Sequence, residues 1–254
     1  MKAKNKIALV TGGSRGLGKN MALALADTGV DVIFTYYNEV EEAQSVVAEL
    51  VEKGQSSKTL QLDLVQFDLL DNFVQKFKTI LKEEWGVETF DFLIHNGGIG
   101  ANISIEDCTE EKFDQLMYIH YKSVYFLTQK LIPAVNDGGC VIFITSATTR
   151  YCIPGYSLYS SLKSALETLT KHVAQEYGHR GIRSVAVAPG AIATDFNNAQ
   201  ARDNKEVQQK LANMIPLGRV GQPDDIGQVV AFLCSDAAQW INGERIEISG
   251  GQSL

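Results

Sequence analysis

The stretch KIALVTGGSRGLGKN, residues 6–20, joins a short apolar run to a turn that contains regularly spaced glycines. Gly12, Gly16 and Gly18 have the spacing G-x-x-x-G-x-G. Glycines between a strand and a helix let backbone N–H groups approach a pyrophosphate at the helix N-terminus, where the helix dipole favours an anion. Any tight strand-to-helix turn also needs glycine, so the turn alone is weak evidence for a nucleotide.

The same stretch comes close to a second phosphate-binding motif. Gly13 is followed, after four residues, by Gly18 and Lys19, as in a P-loop. A P-loop needs Ser or Thr after the lysine to hold Mg²⁺, and Asn20 has no hydroxyl. The sequence therefore argues against an NTPase.

Strand-like apolar runs alternate with segments of helical periodicity along the whole chain. The runs are KIALVTG, DVIFTYY, KTLQLDL, FDFLIHNGG, CVIFITSA, IRSVAVAPG and RIEISGG. They are continuous rather than alternating, which is typical of strands buried on both faces. No linker or repeat interrupts the pattern. We predict one α/β domain over residues 1–254, a single-domain Rossmann fold with a doubly wound parallel sheet of about seven strands and helices on both faces.

Composition and charge restrict the class of protein. The 254 residues are 45% hydrophobic and 21% charged, with a formal net charge of −7 at pH 7. An acidic chain without a basic run is a poor match to nucleic acid or to an anionic membrane surface. The apolar run at residues 7–10 is far too short for a signal-peptide core or a membrane span. We expect a cytoplasmic protein with no nucleic-acid or membrane partner.

The cysteines and histidines argue against disulfides and metals. The four cysteines are widely separated and form no C-x-x-C motif. The four histidines form no H-x-x-x-H or H-E-x-x-H pair. We therefore expect reduced cysteines and no metal site.

The end of the second predicted strand bears on which dinucleotide binds. Enzymes that use NAD typically place an acidic residue there to bind the ribose 2′-hydroxyl. Here the positions are Tyr36, Tyr37 and Asn38, while Asp31 lies at the opposite end. Arg15 in the glycine turn could donate a bidentate hydrogen bond to a 2′-phosphate, although it could also be a solvated turn residue. Together these residues favour NADP(H), with NAD(H) as the second choice.

The segment YSSLKSALETLTKHVAQEY has helical spacing and brings a tyrosine close to a lysine. Tyr159 and Lys163 are four residues apart and therefore lie on one face of the helix. Tyr156 falls near the helix start and Tyr151 in the preceding loop. A nearby ammonium lowers the pKa of a tyrosine, which aids proton transfer. Spacing favours Tyr159 as the acid or base, and an ordinary surface Tyr–Lys pair is the alternative.

Several motifs in one order carry a resemblance to a known family. Ser146 ends the strand CVIFITS, thirteen residues before Tyr159. With TGGSRGLG at 11–18, HNGG at 95–98 and PGAIATD at 189–195, the chain resembles the short-chain dehydrogenase/reductase family, and within it the 3-oxoacyl-carrier-protein reductase group and related carbonyl reductases. The match covers the whole chain, through GRVGQPDDIGQVVAFLCSD at 218–236 and INGERIEISGG at 241–251.

The resemblance implies hydride transfer between the nicotinamide of NADP and a carbonyl or secondary alcohol. Ser146 would orient the carbonyl oxygen, and Tyr159 would act as the general acid or base. Lys163 would lower the pKa of Tyr159 and bind the nicotinamide ribose. The alternative is a dinucleotide-binding sensor or structural protein without turnover. The only residue that supports this alternative is His120.

The resemblance also implies a set of cofactor-binding residues. Asp63 would contact the adenine amino group, with Leu64 beside the ring. Asn96 would line the cofactor and steady the central strand. The backbone of Ile192 and the hydroxyl of Thr194 would meet the carboxamide. The complete expected set is Gly12, Ser14, Arg15, Gly16, Leu17, Gly18, Tyr37, Asn38, Asp63, Leu64, Asn96, Gly97, Gly98, Tyr159, Lys163, Pro189, Gly190, Ile192 and Thr194.

Two histidines depart from the family pattern. His120 falls where the family has an asparagine that bends a long helix and holds a water in a proton relay. Histidine can also bind a water, and it titrates near neutrality. We expect His120 to be catalytic. The proton relay is then either preserved with a different pH dependence or impaired. A buried structural histidine is the alternative. His95, in place of a family asparagine, is interpreted as structural.

Substrate and partners are the least specified features. The resemblance makes residues 195–212 a mobile substrate lid and assigns substrate contacts to Ser146, Tyr151, Ile153 and Tyr156, with Arg150 as a candidate for an acidic substrate group. It also implies a homotetramer or dimer. The region PAVNDGGC at 133–140 has no cation, and Arg180 is one arginine, so an acyl carrier protein is an uncertain partner. We favour a small free carbonyl compound or thioester.

Overall fold

The computed structural model describes residues 5–254, and within them seven strands form one parallel sheet in the order β3-β2-β1-β4-β5-β6-β7. The fold class and the seven predicted strands are confirmed. The strands are β1 (Ile7–Val10), β2 (Asp31–Tyr36), β3 (Ser57–Gln61), β4 (Phe90–His95), β5 (Val135–Ile144), β6 (Arg183–Pro189) and β7 (Arg245–Ile248).

Helices cover both faces of the sheet. They are α1 (Gly16–Asp27), α2 (Val40–Glu52), α3 (Leu70–Ile80), α4 (Glu110–Met117), α5 (Ser123–Leu131), α6 (Ser157–Tyr177), α7 (Gln200–Asp203), α8 (Lys205–Ala212) and α9 (Asp224–Leu233). None of the helices within residues 5–254 is long and apolar enough to cross a membrane.

The core is split into two layers by the sheet itself. Successive side chains of a strand point to opposite faces, and β1 shows this directly. Ala8 and Val10 are buried in the layer that contains α1 and α9, whereas Ile7 and Leu9 are buried in the layer that contains α3 and α5. Burial on both faces explains why the strand sequences are continuous apolar runs.

The helical segment between β4 and β5 is not one continuous α-helix. Residues Tyr118–Lys122 form a π-helical turn that separates α4 from α5. The helical path ends in a 3₁₀ turn at Ile132–Ala134, where Pro133 has no N–H to continue it. Val135 already belongs to β5 and pairs with Phe90.

The order of strands reverses direction around β1. From β1 the chain proceeds to β2 and β3 on one side, and β4 to β7 follow on the other. Such a reversal leaves a crevice beyond the carboxyl ends of the strands, and ligands of open α/β sheets bind there. The segments after β1, β2, β3, β4, β5 and β6 all converge on this crevice.

Candidate active site

The glycine turn after β1 packs so closely that side chains are excluded. A Cβ on Gly12 would lie 2.9 Å from the Cα of Gly97, and a Cβ on Gly18 would overlap the carbonyl oxygen of Gly12. Gly12 and Gly16 also have φ of 67° and 54°, in the region that favours glycine. The turn therefore brings bare backbone to the start of α1.

The N-terminus of α1 suits an anionic group. Arg15 is the N-cap residue in extended conformation, and its side chain makes no capping hydrogen bond. The first turn contains no acidic residue. Ser14 is buried beside it, and Leu17 packs against the core. The unpaired N–H groups and the helix dipole fit a pyrophosphate.

Arg15 lies between two carboxylates at the mouth of the crevice. Its Nη1 is 3.4 Å from Oε1 of Glu39, and its Nε is 2.9 Å from Oδ2 of Asp195. Tyr37 and Asn38, at the end of β2, are exposed next to this pair. Glu39, which directly follows Asn38, was not predicted as a site residue. The position of Glu39 in the sequence could have identified it. It lies about 20 residues beyond the glycine turn, where dinucleotide-binding enzymes typically have an acidic residue that binds the ribose.

Asp63 and Leu64 lie in the turn after β3. The carboxylate of Asp63 accepts hydrogen bonds from the backbone N–H of Val65 and the side chain of Gln66, at 2.9 and 3.0 Å. The carbonyl of Leu64 accepts from the hydroxyl of Ser123 at 2.6 Å. These bonds fix the turn at the edge of the crevice.

Asn96, after β4, ties the central strands together. Its Nδ2 donates to the carbonyl oxygens of Thr11 and Gly12, both at 3.0 Å. The hydroxyl of Thr11 in turn accepts from the backbone N–H groups of Asn96 and Gly97, at 3.0 and 2.9 Å. These bonds hold the ends of β1 and β4 together.

Ser146, Tyr159 and Lys163 meet beyond the carboxyl end of β5. Ser146 follows the strand, and the other two lie one turn apart on α6. All three are buried, with exposed fractions of 8%, 8% and 5%. The Nζ of Lys163 is 5.6 Å from the centre of the Tyr159 ring and donates to the carbonyl of Ile144 at 2.8 Å. Tyr156 is the N-cap of α6, and the helix carries Tyr159 into the crevice as the spacing predicted.

Burial controls the protonation of this group. It raises the pKa of Tyr159 well above its ordinary value, and the hydrogen bond with Ser146 only partly opposes this shift. Burial also lowers the pKa of Lys163 to about 8. The expectation that Lys163 lowers the pKa of Tyr159 is not met by the chain alone, because removal from water dominates both groups.

The turn that holds Ser146 is anchored from the far edge of the sheet. The hydroxyl oxygen of Thr149 lies 2.8 Å from the carbonyl oxygen of Ser146 and 2.7 Å from Oε1 of Glu167, and its one proton is shared between these two acceptors. Arg245 on β7 donates to Glu167 at 2.8 Å and to the carbonyl of Ser146 at 3.4 Å. Glu167 lies one helical turn beyond Lys163, so α6, β7 and this turn share one polar network.

His120 lies in the π-helical turn and faces Tyr159. The two rings meet edge to face, with centroids 5.2 Å apart. Its Nε2 lies 2.9 Å from the carbonyl of Ile99, whereas its buried Nδ1 has no hydrogen-bond partner within residues 5–254. Burial and the charge of Lys163 lower the pKa of His120 to about 3. The expectation that His120 titrates near neutrality is therefore wrong, and the ring is neutral.

His95 is structural in its contacts, as expected. Its ring stacks on Phe143 with centroids 5.2 Å apart, and its Nε2 lies 2.9 Å from the hydroxyl of Thr128. Burial lowers the pKa of His95 to about 3. Gly98, by contrast, lies directly against His120, since a Cβ there would be 2.8 Å from its Cε1.

The segment after β6 closes the crevice. Gly190, which follows Pro189, donates to the carbonyl of Ile248 at 2.9 Å, and Ala191 donates to the side chain of the buried Gln252 at 2.8 Å. Ile192 forms an isolated parallel bridge with Gly221. Thr194 is buried.

The expected substrate residues separate into two groups. Tyr156 lies in the crevice, with its ring 6.0 Å from that of Tyr159. Tyr151 is half buried and turned toward Arg150, whose guanidinium lies 5.3 Å from its ring. Arg150 itself is bound by Glu247 at 2.8 and 2.9 Å, so its charge already has a partner. Ile153 is half buried in the same loop.

Residues 195–212 contribute two contacts in the crevice that were not predicted from the sequence. Phe196 lies 6.3 Å from Tyr159, measured between ring centroids, and Asn197 donates from Nδ2 to the hydroxyl of Tyr156 at 2.9 Å. Residues 195–212 contain α7 and α8. An aromatic residue, Phe196, among polar neighbours could have indicated a contact with the crevice.

Comparison with known proteins agrees with this geometry. The family model described as enoyl-(acyl carrier protein) reductase matches residues 12–253. The 3-oxoacyl-acyl-carrier-protein reductase FabG of Staphylococcus epidermidis is 34% identical over 98% of this chain and 100% of its own length.

Two solved ketoreductases share the whole fold. The promiscuous reductase LugOII, which catalyses keto-reduction at C1 during lugdunomycin biosynthesis, is 32% identical with a TM-score of 0.94, and the alignment covers 100% of both chains. The angucycline C-6 ketoreductase LanV with bound NADP is 33% identical with a TM-score of 0.93 over 98% of this chain and 96% of its own. LanV has also been solved with NADP and rabelomycin. A glycine turn at a strand-order reversal, a buried Ser–Tyr–Lys group and these full-length matches lead to one conclusion: the chain belongs to the short-chain dehydrogenase/reductase family and is an NAD(P)-dependent oxidoreductase of the ketoreductase type.

Proposed function

We propose that the protein is an NADP(H)-dependent carbonyl reductase that interconverts a ketone, or a 3-oxoacyl thioester, and the corresponding secondary alcohol, with Tyr159 as the general acid and base. One observation carries the proposal. Ser146, Tyr159 and Lys163 are buried together at the carboxyl end of β5, on the crevice that the glycine turn also borders.

The three side chains divide the proton chemistry among them. The dinucleotide, when bound, supplies or accepts the hydride. The hydroxyl of Ser146 would hold the carbonyl oxygen, and the hydroxyl of Tyr159 would give its proton to that oxygen during reduction. Below its pKa of about 8, Lys163 is protonated, and its charge would stabilise the tyrosinate that remains.

The residues around the crevice fit a dinucleotide. The turn from Gly12 to Gly18, with Ser14, Gly16 and Leu17, offers backbone N–H groups to the pyrophosphate, and Arg15, Tyr37 and Asn38 lie at the mouth. We assign the adenine side to Asp63 and Leu64. The nicotinamide side is assigned to Asn96, Gly97, Gly98, Pro189, Gly190, Ile192 and Thr194.

We assign His120 to the proton path. The neutral ring has one buried acceptor atom, Nδ1, without a partner in the described part of the chain. A buried polar atom of this kind is satisfied by a water where there is room. His120 would hold that water near Lys163 in the place of the family asparagine, and its low pKa keeps the acceptor free throughout the neutral range.

The substrate we propose is a small free carbonyl compound, including polycyclic ketones, with Ser146 and Tyr156 as its contacts in the crevice, Tyr151 and Ile153 in the adjoining loop, and residues 195–212 as a mobile lid. LugOII and LanV are ketoreductases in the lugdunomycin and angucycline series. An acyl carrier protein is the weaker choice. Arg180, its single basic candidate, is paired with Asp137 at 2.8 Å and donates to the carbonyls of Ile132 and Val135.

Turnover assays test the proposal. Oxidation of NADPH and NADH would be followed over ketones, diketones and 3-oxoacyl thioesters, with wild type, Tyr159→Phe and the control Tyr125→Phe, an exposed tyrosine on α5. We expect Tyr159→Phe to lose activity by roughly 10²–10⁴-fold, the usual contribution of a general acid or base, and to retain NADPH binding. A dinucleotide-binding sensor would show binding without turnover in either protein, and full activity in Tyr159→Phe would contradict the proposed mechanism.

We further propose a cytoplasmic homotetramer. The strand β7 lies at the edge of the sheet, and Trp240 and Leu254 near it are exposed almost completely. Exposed apolar residues beside an unpaired strand edge favour self-association. Light scattering of the purified protein tests the assembly.

A further inference from the structure

We infer that Thr148 is a positioning residue that makes Ser146 donate its hydroxyl proton into the crevice, and that Ser160 holds the hydroxyl of Thr148 in the required orientation. The three hydroxyl groups then form one chain that ends at the carbonyl oxygen of the substrate. The inference rests on the proposed reductase function and specifies how the serine of that same site is oriented.

Two groups of Thr148 contact the hydroxyl oxygen of Ser146. The backbone N–H of Thr148 donates to Oγ of Ser146 at 3.2 Å, and Oγ1 of Thr148 lies 2.9 Å from the same atom. A serine hydroxyl can accept two hydrogen bonds and donate one. When both groups of Thr148 donate, the acceptor capacity of Ser146 is used, and its proton is left for the crevice.

Ser160 extends the chain of hydroxyl groups to α6. Its Oγ lies 2.9 Å from Oγ1 of Thr148. Ser160 directly follows Tyr159, so the helix that carries the proposed general acid also carries the far end of the chain. Thr148 and Ser160 are both half buried, and hydroxyl groups that are partly withdrawn from water interact more strongly with their protein partners.

A carbonyl substrate fixes the direction of these hydrogen bonds. A ketone oxygen can accept hydrogen bonds but cannot donate one, so Ser146 must donate to it. Ser146 then accepts from Thr148, and Thr148 in turn accepts from Ser160. In the opposite direction, Ser146 would present a lone pair to the carbonyl oxygen. Hydrogen bonds that run in one direction polarise one another, so the chain strengthens the donor at its end.

The backbone and the side chain of Ser146 are held by different residues. Thr149 and Arg245 bind its carbonyl oxygen and so place the turn. Thr148 binds its hydroxyl oxygen instead. Loss of the Thr148 hydroxyl alone therefore leaves the turn anchored, and it removes the group that directs the proton of Ser146.

Steady-state kinetics of ketone reduction and alcohol oxidation test the inference in wild type, Thr148→Val, Thr148→Ser and Ser160→Ala. Valine has nearly the shape of threonine and keeps the backbone N–H, but it has no hydroxyl. We expect Thr148→Val to lower kcat roughly fivefold to tenfold, with KM changed less than about twofold, because the transition state loses an oriented donor. Thr148→Ser, which keeps the hydroxyl, should stay within about twofold of the wild-type kcat.

The pH profile of alcohol oxidation gives a second measurement. In this direction Tyr159 acts as the base, and a proton donated by Ser146 stabilises its tyrosinate. Thr148→Val should therefore shift the profile to higher pH, whereas Thr148→Ser should not. A residue with a purely structural function would change stability and leave this profile in place.

Two variants serve as matched controls. Ser161→Ala removes the next hydroxyl along α6, which is exposed and donates to the carbonyl of Ser157 at 2.8 Å. Thr79→Val makes the threonine-to-valine change at an exposed position on α3. Both should keep the wild-type kcat and pH profile.

A double variant shows whether the hydroxyl groups act in series. Ser160→Ala alone should lower kcat about twofold to threefold, by removing the group that orients and polarises the Thr148 hydroxyl. In the Thr148→Val background the same change should have no further effect, because Ser160 acts through that hydroxyl.

Three outcomes would overturn the inference. They are a wild-type kcat and pH profile in Thr148→Val, an equal loss of kcat in Thr148→Ser and Thr148→Val, and independent effects of the two changes in the double variant. Any of them in an enzyme that reduces ketones and loses activity in Tyr159→Phe would leave the proposed function standing. A wild-type protein that binds NADPH but reduces no carbonyl compound would overturn both.

Discussion

At the scale of single residues, the candidate site is governed by removal of charge from water. His95, His120, Tyr159 and Lys163 are all buried, and burial shifts the pKa of each toward the uncharged form. The site therefore keeps a neutral histidine and a neutral tyrosine beside a lysine whose pKa is about 8. Proton exchange within this group is sensitive to any cation that enters it.

The two buried histidines make the free energy of unfolding depend on pH. Their pKa values are lowered from 6.5 to about 3, so the unfolded chain binds more protons than the folded one between these values. Stability is full above pH 6.5 and falls as the pH is lowered. Between pH 6.5 and pH 5 we expect the wild type to lose about 1.6 kcal/mol more stability than His120→Asn, because one such group approaches a slope of about 1.4 kcal/mol per pH unit below pH 6.5.

Urea unfolding at both pH values measures this difference. His172→Asn, at an exposed position on α6, is the matched control and should retain the wild-type dependence on pH. The explanation fails if His120→Asn and wild type lose the same free energy of unfolding over this range.

Spacing was sufficient to choose Tyr159 among three tyrosines, because helical geometry is local. The pKa of His120 could not be predicted, because its 1% exposure arises from α6 and the segment after β4 packing around it. Glu39 was missed for a similar reason, since its pairing with Arg15 depends on two turns that are distant in sequence.

At the scale of elements, the glycine turn and the start of α1 act as one rigid unit. A Cβ on Gly18 would meet both the carbonyl of Gly12 and, at 2.6 Å, the Nδ2 of Asn96. Backbone and an amide nitrogen that already makes two hydrogen bonds cannot move aside cheaply, so the turn tolerates no side chain there.

We expect Gly18→Ala to lower the free energy of unfolding by about 1–3 kcal/mol, or roughly 2–10 °C in Tm, and to weaken NADPH binding. Gly178→Ala is the control, because that glycine has φ of −58° and open space around its Cα. The control should gain about 0.4–1 kcal/mol by restricting the unfolded chain. Thermal unfolding of both variants would falsify the packing argument if Gly18→Ala were as stable as wild type.

At the scale of the whole molecule, the number and kind of the strands were predictable, because each buried strand leaves a continuous apolar run. The π-helical turn at residues 118–122, the early start of β5 at Val135 and the irregular pairing between Phe90 and Phe92 were not. These features are determined by the packing of one element against another. The same is true of the contacts between the segment after β6 and the C-terminal residues.

The buried Gln252 gives a test of those contacts. It accepts from the N–H of Ala191, in the segment assigned to the nicotinamide. We expect Gln252→Ala to raise the KM for NADPH several-fold with a smaller change in kcat, because the segment loses one of its supports. Gln75→Ala, exposed on α3, is the control. Steady-state kinetics that show a fall in kcat alone would contradict this function for Gln252.

The anchoring of Ser146 by Arg245 has a consequence for biosynthesis. The two residues are 99 positions apart, and β7 is the last strand along the chain. A ribosome releases the N-terminal part first, so a nascent chain carries Ser146, Tyr159 and Lys163 well before the arginine that secures the serine turn. The contact is also of long range, which slows its formation. A growing chain therefore contains Ser146, Tyr159 and Lys163 early, but the turn that holds Ser146 becomes ordered only late.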